Sequence, residues 1–188
     1  TYNRADVVGG AVRSVLAQRF DDFELLVVDD GSADDTPAIL AAFDDARVRV
    51  IRRPNGGLSA ARNTGIEAAT GRFVIFLDDD DEASADWLEA LAGAAGPGTG
   101  FLSCTCRFVT PDRRSETVAP STPHTLYPGV RGVFLAGTFA VDRSVLTAVG
   151  GYAEEIRVSH QTELLLRVLP EVRRRGLGTA FVDRPLVA

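Results

Sequence analysis

Two clusters of carboxylates close two apolar runs. Residues 73–81 read FVIFLDDDD, five apolar or aromatic residues followed by Asp78, Asp79, Asp80 and Asp81. A continuous apolar run of this length suits a strand buried on both faces. Four adjacent negative charges repel one another. Either they form a solvated acidic turn ahead of a helix, whose N-terminus favours carboxylates, or a cation sits there. An extended backbone puts Asp78 and Asp80 on one side and Asp79 on the other. Two same-side carboxylates make a hard oxygen site suited to Mg²⁺ or Mn²⁺, ions that keep several waters and are completed by phosphate oxygens. The second cluster, Asp29-Asp30, ends the strand-like run ELLVV at 24–28 and leads into the turn pair Gly31-Ser32.

These clusters need elements to hold them. Val8, Ala11, Val12, Val15 and Leu16 follow the stripe of an amphipathic helix. Asp34, Asp35, Thr36 and Pro37 signal a helix start, with Ile39, Leu40 and Phe43 as its apolar face. Residues 48–51 predict a strand, 54–57 a turn, 58–69 a helix ended by Gly71, 73–77 a strand, and about 84–95 a helix. The order βαβαβα predicts parallel strands with right-handed crossovers. Ligands of such sheets bind beyond the carboxyl ends of the strands, where both acidic clusters stand, so the two are expected to face one crevice.

The second half is less regular. GPGTG at 96–100 is a break, 101–109 a strand, and 110–132, with four prolines, a long loop. Residues 134–141 predict a strand, with a short helix following to 149 and a turn at 150–152. Leu164, Leu165, Val168, Leu169 and Val172 mark a helix face, and 180–182 a last strand. Trp87 is expected in the core.

Composition narrows the chemistry. The chain has 188 residues, 45% hydrophobic and 24% charged, ordinary values for one soluble domain. The net charge of −6 argues against a nucleic-acid surface. No apolar run is long enough for a transmembrane helix. Cys104 and Cys106 alternate along a strand and read as two small buried residues, compatible with a reducing compartment. The expected location is the cytoplasm, free or peripheral to the membrane. TYNRAD at 1–6 reads as a loop that follows a strand, so a first strand is expected to be missing. All twenty basic residues are arginine. Phosphoacceptor receivers and haloacid-type phosphatases also carry acidic strand tips, but both need a lysine. DDGSAD is not the GxGxxG of a dinucleotide site, and no P-loop is present. A metal-dependent sugar-nucleotide enzyme remains.

The stretches TYN, SVLAQRFDDFELLVVDDGSADDT, NGGLSAARNTGIEAATGRFVIFLDDDD and GTFAVDRSVLTAVGGYAEE together resemble family-two glycosyltransferases of the GT-A fold, in order and over almost the whole chain. The resemblance implies an α/β fold, a Rossmann-like three-layer α/β/α sandwich with a central, mostly parallel mixed sheet. It implies a single domain over 1–188, with 1–95 as the nucleotide half and 96–188 as the acceptor half. It implies transfer of a sugar from a nucleoside diphosphate, UDP-type favoured, to an acceptor hydroxyl with inversion, assisted by Mn²⁺ or Mg²⁺. The acceptor, whether a glycan, a lipid-linked glycan or a small molecule, is not readable. By the same resemblance Thr1 and Tyr2 lie in the loop that packs on the nucleobase. Asp30 accepts from the base N–H, and Asp80 ligates the metal. Asp78 and Asp79 stand near the ribose and metal. Arg62 faces the diphosphate or is a solvent-exposed helix arginine.

The chain departs from the family at the base. The usual Glu-Asp ahead of the helix motif becomes His160-Gln161 in SHQTELLLR, and glutamine is no useful proton acceptor. His160 is the best substitute, since an imidazole titrates near neutrality, and Glu163, three residues on, could orient it. His160 could instead be a further metal ligand or a plain helix-start residue. His124 is a weaker candidate near the acceptor. Two functions stay open: an active transferase with an altered base, or a nucleotide-sugar-binding module that has lost turnover.

Overall fold

The computed structural model describes residues 1–109, 115–118, 127, 129–132 and 134–188. Helix α1 (Val8–Leu16) leads to β1 (Leu25–Asp29), α2 (Thr36–Ala41), β2 (Val48–Arg52), α3 (Leu58–Ala68), β3 (Phe73–Ile75) and α4 (Trp87–Ala94). Then follow β4 (Thr99–Val109), β5 (Ser115–Val118), β6 (Phe139–Asp142), α5 (Arg143–Val149), α6 (His160–Arg174) and β7 (Gly178–Val187). The α1 stripe is buried as its spacing predicts, at Val8, Ala11, Val12 and Val15.

The alternation of side chains on β4 and β6 builds the layers. Phe101, Phe139 and Val141 face one way, into a cluster with Leu146 of α5 and Leu164, Leu165, Val168 and Val172 of α6. Leu102, Cys104, Cys106 and Ala140 face the other way, against Trp87 and Leu91 of α4 and Val15 of α1. Helices therefore cover both faces of the central sheet, giving the expected α/β/α sandwich. Trp87 is a core residue, 2% exposed, and its indole N–H donates to the Gly137 carbonyl at 2.9 Å. Both cysteines are free and buried, and burial pushes the Cys104 thiol up to about 12, an inert state.

Pairing is mixed. β1 and β2 are parallel, as βαβ predicts. β3 joins neither; it pairs antiparallel with β6, which pairs antiparallel with β4, while β4 takes β5 antiparallel and β7 parallel. Beside β1 runs Thr1. Its amino group donates to the Val28 carbonyl at 2.8 Å, and its carbonyl accepts from Asp30 N–H at 2.9 Å, the bonds of one parallel rung.

Several boundaries differ from expectation, four of them with a visible cause or consequence. The strand expected at 134–141 starts at Phe139, because Gly137 takes φ +77° and Thr138 closes a turn onto Leu135 through its hydroxyl. β3 stops at Ile75, and the Phe76 carbonyl accepts from Gly137 N–H instead of a ladder partner. β7 runs far beyond 180–182 and passes through Pro185, which has no N–H to give; the register slips on either side of Thr105, whose partner it is. Within the expected loop 110–132, residues 115–118 form β5.

Candidate active site

Asp29 and Asp30 lie at the carboxyl end of β1, and the chain closes around them. Asp30 is 3% exposed. Its carboxylate accepts from Gly56 N–H at 3.1 Å and Gly57 N–H at 2.7 Å, with Arg53 Nε 3.6 Å away. Asp29 is buried too, accepting from Ser32 N–H at 2.8 Å beside Arg52 Nε at 3.6 Å. Gly31, at φ +86°, makes the tight passage possible; a Cβ there would stand 2.9 Å from Asn55 N. Thus Asp30, expected to read a base, fastens the start of α3.

The second tip is open. The Asp78 side chain is 43% exposed and that of Asp80 53%, with Asp79 more covered. Asp78 accepts from Arg62 Nη2 at 2.7 Å. Arg62 is not the solvent arginine of one sequence reading. It is 6% exposed, with its guanidinium carbon 5.8 Å from the Phe76 ring centre and 5.2 Å from that of Tyr152. Helix α3 thus joins the two tips: its start meets Asp30 and its second turn meets Asp78. The loop after Thr1 does the same. Asn3 N–H donates to Ser32 Oγ, and the Arg4 guanidinium stands 3.8 Å from both Asp79 and Asp80. Tyr2 is about half exposed in that loop.

Charge at this tip is under-compensated. Asp81 is pushed up to about 6, first by burial and then by the charges of Asp78, Asp80 and Asp79. A cleft of about 270 Å³ opens between the tip and α1, lined by Asp6, Gly10, Arg13, Asp80, Asp81 and Glu82 among others. No three-ligand cage of His, Cys, Asp or Glu occurs among the described residues. Hard oxygen donors with unbalanced negative charge still fit Mg²⁺ or Mn²⁺, which needs only one or two carboxylates when phosphates complete its shell. The segment behind the tip is fixed. Gln18 donates to the Ser84 carbonyl at 2.8 Å and accepts from Leu88 N–H at 2.9 Å. Ala83 N–H donates to Ser14 Oγ, and Glu82 exchanges two backbone bonds with Ala188, just past the end of β7.

The start of α6 completes the site. His160 is its first residue, half-buried, and no described side chain hydrogen-bonds its imidazole. Glu163 does not orient it. Arg167 takes the Glu163 carboxylate in a two-pronged pair at 2.6 Å and donates onward to the carbonyls of Val149 and Gly151, which holds Glu163 below the usual carboxylate range. Gln161 reaches the site instead. The amide orientation that satisfies both partners puts its oxygen 3.2 Å from Arg62 Nη1 and 3.3 Å from Nη2. The sequence shows Gln161 only as a lost base, and its partner on α3 has no local signal. His124 lies outside the described residues.

The family model described as Glycosyl transferase family 2 matches residues 1–153. The succinoglycan biosynthesis protein ExoO of Rhizobium meliloti is 48% identical over 99 residues, 50% of this chain and 28% of that protein. The putative glycosyltransferase EpsH of Bacillus subtilis is 39% identical over 105 residues, 55% of this chain and 30% of that protein. The chain thus spans about a third or less of the length of these curated relatives. Among solved structures, S. aureus TarS 1–349 superposes with a TM-score of 0.81 at 21% identity, covering 100% of this chain and 57% of that one. A mannosyltransferase from Pyrobaculum calidifontis, in complex with GDP-Man and Mn²⁺, gives 0.70 at 22% identity, covering 98% and 52%. The α/β/α architecture is therefore the GT-A fold, and with most of its length matched by the family model, this chain belongs to glycosyl transferase family 2.

Proposed function

We propose that the chain binds a nucleoside-diphosphate sugar, UDP-type favoured, and transfers the sugar with inversion to an acceptor hydroxyl. The observation that carries this reading is the open acidic tip, joined by α3 and the Thr1–Arg4 loop to the closed tip at Asp30. Thr1 and Tyr2 would line the nucleotide on one side, with Asp78 and Asp79 toward its ribose. Asp80 and Asp78 would hold Mn²⁺ or Mg²⁺, which would neutralise charge on the departing diphosphate. The acceptor oxygen attacks the anomeric carbon, its proton goes to a base, and the nucleoside diphosphate leaves with the bonding electron pair. His160 is proposed as that base, its imidazole uncommitted among the described side chains. Asp30, held by the turn at 56–57, would accept from the N–H of the nucleobase through its remaining lone pairs. TarS has been solved with UDP-GlcNAc, and a Campylobacter jejuni relative, 36% identical over 110 residues, is a glucosyltransferase acting on an undecaprenol-linked glycan. The first supports a UDP-sugar donor, and the second a lipid-linked acceptor. No helix among the described residues is long and apolar enough to cross a membrane.

The second reading is a binding module without turnover, favoured by Gln161 standing where the family carries its acid. Release or transfer from UDP-glucose and UDP-GlcNAc with Mn²⁺ separates them, measured on the parent, His160→Ala and Asp80→Ala. Loss of turnover in both variants supports the transferase with His160 as base. Loss in Asp80→Ala alone removes His160 from the role. Nucleotide binding without turnover across an acceptor panel leaves the module.

A further inference from the structure

Arg62 is a node where three parts of the chain meet. It stands on α3, its Nη2 is 2.7 Å from Asp78 at the end of the β3 segment, and in the amide orientation assigned from the hydrogen-bonding pattern the Gln161 oxygen of α6 faces both terminal nitrogens at 3.2 and 3.3 Å. Phe76 and Tyr152 wall the guanidinium, and the Tyr152 hydroxyl is buried with no hydrogen-bond partner among the described residues. Asn63 ties the Tyr152 backbone to α3 from both sides, accepting from its N–H at 2.7 Å and donating to its carbonyl at 3.0 Å. Arg62 itself is buried while Asp78 stays partly open, and the node has one positive charge and one carboxylate.

The third partner is neutral, and that matters. An amide oxygen accepts from a guanidinium without cancelling its charge. A carboxylate in the same seat would form its own charge-assisted pair and compete with Asp78 for Arg62. We propose that Gln161 is a positioning residue for donor binding. It caps Arg62 from α6 and leaves the guanidinium's charge to Asp78, so the first carboxylate of the open tip stays fixed. The proposal rests on the nucleotide-sugar reading above and deepens it, linking the acceptor-side helix to the donor site.

The test is calorimetric titration with UDP in the presence of Mn²⁺, on the parent chain, Gln161→Glu and Gln161→Asn. Gln161→Glu differs by one charge and almost no volume, so it is expected to weaken UDP binding about tenfold, and Gln161→Asn by about threefold or less. In an Arg62→Gln background, Gln161→Glu is expected to change nothing further, which a merely structural residue would not produce. Asp78→Asn is the alternative background if Arg62→Gln does not fold. Parent and Gln161→Glu binding UDP equally would overturn the role of Gln161 while leaving the donor reading intact. So would Gln161→Asp raising turnover at unchanged UDP affinity, which would make position 161 an empty base seat. A folded parent that binds neither UDP nor GDP with Mn²⁺ would overturn both.

Discussion

The two acidic strand tips carry the same residue type and have opposite fates. At Asp29-Asp30 the carboxylates are buried; Asp30 accepts from two backbone N–H groups and Asp29 from one, each with an arginine alongside. At 78–81 the side chains of Asp78 and Asp80 are about half exposed, burial and the three neighbouring charges raise Asp81, and the nearest loop cation stands 3.8 Å off. Position at a strand end does not decide the use of an aspartate; the supply of local donors does. The turn at 56–57 offers two N–H groups to Asp30, whereas the N–H of Asp81 in the turn after Leu77 goes to the Asp78 carbonyl and leaves the carboxylates one close side-chain donor, Arg62 at Asp78. One tip is fastened to the turn ahead of α3, and the other stays open.

Substitutions at the two tips should therefore separate cleanly. Asp80→Ala is expected to lower Mn²⁺-dependent turnover by on the order of 10²–10³ while leaving thermal stability equal or higher, because it relieves like-charge crowding. Steady-state kinetics beside a melting curve reads both, and a drop in stability would break the contrast. Asp30→Ala should do the converse in stability. Stranding the N–H groups of Gly56 and Gly57 is expected to cost about 2–3 kcal/mol in urea unfolding. A neutral result there would mean that the tip is as free as its partner. Arg4→Gln sharpens the open side, since removing an exposed cation from Asp79 and Asp80 should tighten Mn²⁺ binding about two- to threefold and shift stability by less than about 1 kcal/mol.

The smallest effect concerns α6. Arg167 holds Glu163 below its ordinary range, so the folded chain binds fewer protons there than the unfolded one. That stabilisation is present above the unfolded carboxylate range and is lost as pH falls through the lowered folded value. Glu163→Gln is expected to cost about 0.5–1 kcal/mol at pH 7, with the gap to the parent closing in acid. A gap constant with pH would detach Glu163 from Arg167.

The helices and first strands were legible because they rest on local signals. The stripe of α1, Pro37 at the start of α2 and the apolar face of α6 each sit within one element, and the βαβ order correctly implied the parallel β1–β2 pair. Legibility failed where distant chain decides the outcome. Nothing local in ELLVVDD says that Gly56 and Gly57 will claim Asp30. SAARN does not reveal that Arg62 turns inward between two rings. The i, i+3 spacing of His160 and Glu163 suggested a partnership, but Arg167 at i+4 from Glu163 offers a two-pronged ionic bond that a neutral imidazole cannot match. The end of β3 at Ile75 and the start of β6 at Phe139 follow from the turn at Gly137 and Thr138 and its bond to the Phe76 carbonyl. The acidic tip itself was visible, and its company was not.

The backing of that tip by Gln18 has a thermodynamic consequence. A side chain that ties one helix to the next segment through both ends of its amide, with β7 zipped along the far flank, leaves little freedom to lose on ligation. Association at such a preorganised surface is spared most of the ordering entropy that a folding lid would incur. Replacing Gln18 with an apolar residue of equal length should thus reveal itself in the entropy of nucleotide capture, even where no atom of the visitor comes near it.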